Sequence, residues 1–135
     1  MQDRYLYKAK RLDNGKWVEG ALFDGENYCV IGHQIKFSPY IENECKIVGY
    51  IVDRDTVCQC TGCKNKIGTL IWEHDVIQYE IYFGIVVFKE GAFEIKWIDN
   101  SYNLREDIYF WATERNIAVV GNKFDNPELL EELVE

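Results

Sequence analysis

A chain of 135 residues has the size of one ordinary domain and can bury roughly two-thirds of its unfolded surface, so a single hydrophobic core is expected. Its 23 acidic residues against 15 basic ones give a formal net charge of -8 and a pI near 4.8, which opposes binding to a nucleic-acid backbone. No apolar run approaches the roughly 20 residues that cross a bilayer, and the start, MQDRYLYKAKRLDNG, carries no secretory signal, so a soluble, non-membrane protein of the cytoplasm is expected.

Turn signals organise the first third. Asp13-Asn14-Gly15 and Asp24-Gly25 suit tight hairpins and divide Tyr5 to Leu12, Lys16 to Phe23 and Glu26 to Ile31 into an antiparallel meander. Pro39 interrupts pairing. Ile47 to Val52 is a further short strand, ended by Asp53-Arg54-Asp55, and a sub-boundary within the single domain is placed near 53–57. From Val57 to Leu70 the abundance of Gly, Lys, Asn and Thr suggests an irregular connection.

A second, barrel-like β region follows. Val76 to Ile81 and Gly84 to Lys89 are apolar and β-branched, and Glu90-Gly91 turns into Ala92 to Ile98. There Phe93, Ile95 and Trp97 alternate with Glu94 and Lys96. Asp107 to Ala112 and Ile117 to Val120 read as strands, the first with enough aromatic character for a short helix instead. Asp125-Asn126-Pro127 caps a terminal helix over Glu128 to Val134, whose Leu129, Leu130 and Leu133 make one docking stripe.

Cys58, Cys60 and Cys63 form the one cluster with zinc-like spacing. Neither Cys29 and Cys45 nor His33 and His74 supplies a second tight pair. Small residues in a tight loop are the simpler reading. We therefore expect five reduced, metal-free thiols, because the compartment is reducing and the total is odd. Glu73-His74-Asp75 sets an imidazole between two carboxylates, a combination capable of acid–base work in a pocket. Adjacent strand residues do not share a face, however, so a surface turn leading into Val76 is expected. With no phosphate-binding glycine loop and no Gly-x-Ser-x-Gly elbow, a non-enzymatic protein without a cofactor is the reading. Lys8, Lys10 and Arg11, the longest basic cluster, read as a solvated strand face.

Four stretches together resemble the YopX-like family of small phage and prophage proteins. They are Arg4-Tyr5-Leu6-Tyr7 continuing to Asp13 through Gly20; Asp53 through Gly62 with Gly68, Ile71, Glu73 and Asp75; Gly84 to Phe88 with Phe93 to Trp97; and Val119-Val120-Gly121-Asn122 followed by Phe124 to Leu130. The chain departs from that pattern at Cys63, where an aliphatic residue is expected, and at His74, where a glycine is expected. The resemblance implies a mainly β architecture with short helical pieces and a phage accessory role in the host cytoplasm. It implies little about biochemical activity.

Most matched residues read as scaffold: glycines at turns, an Asn-Pro cap and strand aromatics. Binding is expected of Lys16, Trp17 and Glu19 beside the first hairpin, and of Asp75 with Trp97 at a rim if the two β regions face each other. The leading expectation is a binding module that engages a host or phage protein. A homo-oligomer, dimer first, is also expected. So short a chain has limited interior for 20 aromatic residues, and sheet edges or an aromatic face would bring copies together. Two alternatives remain. One is a protein that sequesters a nucleotide signal of host defence, which requires Lys16, Lys89, Lys96 or Arg105 to converge in a pocket. The other is an enzyme acting through Asp75, Glu73 and His74.

Overall fold

A computed structural model describes residues 5–36, 45–99 and 104–131, and shows a mainly β protein of antiparallel sheets with short helices. The chain divides into two compact units, Met1–Gln59 and Cys60–Glu135. The division falls just after the sub-boundary expected near 53–57.

In the N-terminal unit, β1 (Tyr7–Lys10), β2 (Trp17–Asp24) and β3 (Cys29–Lys36) form the expected antiparallel meander, and β4 (Cys45–Val52), the further strand expected from Ile47 to Val52, extends it in the order β4-β3-β2-β1. The third strand starts later than the sequence suggests. The Gly25 N–H donates to the Tyr28 carbonyl at 3.1 Å, so the turn runs on to Tyr28 before pairing resumes at Asp24 opposite Cys29. Pro39, expected to interrupt pairing, lies outside the described residues.

The meander rolls until its fourth strand meets its first. The Leu12 N–H donates to the Ile51 carbonyl at 3.1 Å, and the Asp53 N–H donates to the Lys10 carbonyl at 2.8 Å. Gly32 and Gly49, paired across β3 and β4, permit a close backbone approach within this roll. A Cβ on Gly32 would stand 2.1 Å from the Val48 carbonyl oxygen, and one on Gly49 would stand 2.2 Å from that of Ile31. Inside lie Ala9, Cys29, Ile31 and Val52, with Tyr7, Val18, Leu22 and Val57 packed against them. A 3-10 turn over Arg54–Thr56 closes the unit: the Thr56 hydroxyl donates to the Asp53 carbonyl and accepts from the Lys10 N–H.

The segment Val57 to Leu70 is largely strand, contrary to the irregular connection expected. It contains β5 (Cys58–Lys64), and β6 (Leu70–Trp72) follows. Composition misleads here because the inward residues are small. Cys58 and Cys60 alternate inward and are wholly buried, and only Asn65–Thr69 turns, braced by the Asn65 side chain. The first part of β5 pairs with β1, the rest with β6 across a register shift after Cys60.

A four-stranded sheet ordered β10-β7-β8-β9 dominates the C-terminal unit, from β7 (Asp75–Tyr79), β8 (Tyr82–Lys89), β9 (Ala92–Trp97) and β10 (Ala118–Asn122). The expected turn at Glu90-Gly91 is present, and Ile95 and Trp97 point into the core as their alternation requires. Asp107 to Ala112 resolves toward helix: the Asp107 carboxylate accepts the Tyr109 N–H and starts α1 (Ile108–Glu114), which buries Ile108, Trp111 and Ala112. The terminal helix α2 spans Pro127–Glu131, and the rest of its expected length, with Leu133, lies outside the described residues.

The glycine pair makes a sharp expectation. Gly32→Ala forces backbone apart and should cost more than about 3 kcal/mol in urea unfolding. Gly15→Ala, at a φ of +71° with open space around it, should cost about 1–2 kcal/mol.

Candidate functional site

The roll of the N-terminal meander builds an exposed apolar feature in that unit. Arg11 and its neighbours leave β1 through a turn in which the Gly15 N–H donates to the Arg11 carbonyl and the Arg11 N–H to the Lys16 carbonyl. Nε and Nη2 of Arg11 donate to the two Asp13 carboxylate oxygens at 2.9 and 2.6 Å. This pairing raises the guanidinium pKa and lowers that of the Asp13 carboxyl. The guanidinium also lies 4.1 Å from the centre of the Tyr50 ring. Leu12 is 64% exposed, and Tyr50 and Ile51 48% each; with Arg11, Asp13 and Gly49 they line a shallow cleft of about 490 Å³. Such a surface offers an aromatic ring, two aliphatic groups and a braced cation whose Nη1 stands outside the ion pair.

Beside it lies the outer face of β1 and β2. Lys8 pairs with Glu19 and Lys10 with Trp17. Both ammonium groups sit over the indole, at 4.9 and 5.5 Å from its centre. Lys8 and Lys10 of the basic cluster thus share a strand face organised around Trp17, whereas Arg11 stacks on Tyr50. Lys16 and Glu19 are exposed. Of the residues expected to bind, Trp17 and Glu19 therefore share one face, with Lys16 at the turn that leads into it.

Asp75 and Trp97 belong to the C-terminal unit and are buried, with 3% and 4% exposure. Asp75 accepts the Trp72 N–H at 2.8 Å and ties the turn between β6 and β7. The Trp97 indole donates to the Arg105 carbonyl at 2.8 Å, as does the Trp111 indole at 2.6 Å, and the two rings meet edge to face. His74 stands in the same turn as Asp75, with its Nε2 3.8 Å from Glu73 and its ring edge-on to Phe124. Lys89 and Lys96, two of the four cations considered for an anionic ligand, line one cleft of about 390 Å³ together with Glu94 and Glu106. Arg105 lies over Phe110 and pairs with Asp107.

The cysteines behave as small core residues on a strand, not as a tight loop. The Cys58 thiol donates to the Thr56 carbonyl, Cys60 sulfur accepts the Gly62 N–H, and Cys63 packs on the C-terminal core, where burial pushes its thiol pKa up. Among the described residues no group of three His, Cys, Asp or Glu side chains is placed to hold a metal. No described helix is long and apolar enough to cross a membrane.

A family model described as YopX protein matches residues 6–131. The chain belongs to the YopX family. A crystal structure of protein EF1440 from Enterococcus faecalis is similar in fold, with a TM-score of 0.59 and 22% identity over 92% of this chain and 96% of that one. Comparison with curated proteins gave no match.

Physical reasons now attach to the YopX stretches and to the two departures. His74 has a φ of +73°, the left-handed region that a glycine enters freely and that histidine tolerates better than most residues. Cys63 fills core space that an aliphatic side chain would otherwise occupy. In the closing motif, Asn122 Oδ1 accepts the N–H groups of Phe124 and Asp125, and Asn126 Oδ1 accepts that of Asn122. A Cβ on Gly121 would collide with Asn126, so the glycine and the two asparagines form one interlocked turn ahead of α2. Sequence reasoning missed Arg11, Leu12, Tyr50 and Ile51 as a group. The one available signal was the apolar end of β4, and nothing local pairs it with the first hairpin.

Burial lowers the His74 pKa below its ordinary value; Glu73 opposes the shift and Lys123 adds to it. A folded pKa below the unfolded one means that the unfolded chain binds the proton more readily. Stability is therefore whole above about pH 6.5 and is lost as pH falls through the folded pKa. The wild-type melting temperature should drop more between about pH 7.5 and 5.5 than that of His74→Gly. Equal drops in the two proteins would rule out His74 as the source.

Proposed function

We propose that this YopX-family chain is a non-enzymatic binding module, a phage or prophage accessory protein that engages a host or phage protein through the surface of Arg11, Leu12, Tyr50 and Ile51. One observation carries the reading: Leu12, Tyr50 and Ile51 stand together and exposed around a guanidinium that Asp13 and Tyr50 hold in place. Tyrosine and arginine dominate the energetics of protein interfaces, and a pre-ordered arginine gives up little side-chain entropy on binding.

The small-molecule reading draws on the Lys89–Lys96 cleft. Two carboxylates share that cleft and offset the two ammonium groups, which leaves little net attraction for a nucleotide. The enzymatic reading would need Asp75, and a carboxylate that is buried and bonded to a backbone N–H serves the turn first.

Affinity capture from lysate of the natural host tests the protein-binding reading. A partner retained by the wild type should be lost on Tyr50→Ala or Leu12→Ser. Each variant should weaken the purified pair by about 2 kcal/mol, roughly thirtyfold, with an unchanged melting temperature. Retention of the same partner by both variants would refute this surface. A defined small ligand, with no partner captured, would refute the module itself.

A further inference from the structure

We propose that the outer face of the β1–β2 hairpin, Lys8 and Lys10 around Trp17, is a self-association surface that takes the acidic C-terminal segment of a second copy of the chain. It is a surface separate from that proposed for the protein partner.

Charge is distributed unevenly along this chain. Met1–Gln59 holds eight Lys and Arg against nine Asp and Glu, whereas Cys60–Glu135 holds seven against fourteen. The imbalance is strongest between Lys123 and Glu135, a stretch that holds Asp125, Glu128, Glu131, Glu132 and Glu135 and no Lys or Arg after Lys123 itself. Leu129 and Leu130 interrupt the carboxylates, in and around α2. The hairpin face is the converse. Lys8 and Lys10 flank the buried Ala9 on β1 and so share the side opposite the core, with Lys16 at the turn and Glu19 as the nearby carboxylate.

Chemically the two fit. Both ammonium groups are already held over the indole, so less rotamer freedom is lost when a carboxylate binds them, and the half-buried ring offers an apolar floor for leucine. A duplex or long single strand fits less well, because the cations cover only one hairpin of a chain with net charge -8.

Sedimentation equilibrium decides the matter. In physiological salt the wild type should exceed the 15.9 kDa of one chain at tens of micromolar, and added salt should reduce its mass. Lys8→Glu with Lys10→Glu should weaken association at least about tenfold, and so should Glu128→Lys with Glu131→Lys. An equimolar mixture of the two double variants should recover the complex. Melting curves check folding, and Lys8→Gln with Lys10→Gln, a milder change, should weaken association in the same direction. A wild type of one-chain mass would overturn the proposal. So would an assembly that ignores salt and both double variants, or variants that fail to complement each other.

Discussion

Backbone fills the space where a side chain would stand at Gly32 and Gly49, and the N-terminal unit depends on that constraint. Two strands that approach so closely can be part of a sheet that rolls. The roll brings the end of β4 onto the end of β1 through the bonds from Leu12 to Ile51 and from Asp53 to Lys10. Without it Tyr50 and Ile51 would have no reason to stand beside Arg11 and Leu12, and the proposed docking surface would not exist. The same closure turns Ala9, Cys29, Ile31 and Val52 inward. Small residues at two of those four positions leave room for the tight curvature.

The C-terminal unit is organised differently. One backbone carbonyl, that of Arg105, receives both the Trp97 and the Trp111 indole N–H, so two large rings enter the core with no polar group left unpaired. Tyr79 and Phe110 add ring contacts at 4.9 and 5.3 Å from Trp111, which fixes α1 through aromatic geometry as well as buried area. Two sequence features that suggest chemistry, the cysteine cluster and the Glu73-His74-Asp75 triplet, stand in packing and in a turn. The family match spans residues 6–131, and the hairpin face and the Arg11–Tyr50 cleft both lie within it.

Several local features were legible in the sequence because short-range rules decide them. Alternation placed Ile95 and Trp97 inward and Glu94 and Lys96 on the other side, the Asp13-Asn14-Gly15 turn closed the first hairpin, and Asn126-Pro127 opened α2. Where composition and pairing disagree the reading failed. Val57 to Leu70 looked like loop because it is rich in Gly, Lys, Asn and Thr, yet Cys58 and Cys60 at alternate positions were enough to seat a strand. Asp107 to Ala112 was undecided because an aromatic run suits either element, and one side-chain cap settled it.

The sequence by itself therefore determined the mainly β class, the meander, most strand faces and the acidic balance of the chain, since each follows from residue type and spacing within a few positions. Only the tertiary structure decided which distant groups meet. That Lys8 and Lys10 share one indole depends on the register of β1 against β2, and that Arg11 stacks on Tyr50 depends on a roll spanning four strands. Asp75 and Trp97 show the same limit from the other side: their chemistry suits a binding rim, but burial and a backbone partner for each follow from how the C-terminal unit packs. Contacts between residues far apart in sequence are fixed by the summed packing of many strands, and no local pattern encodes that sum.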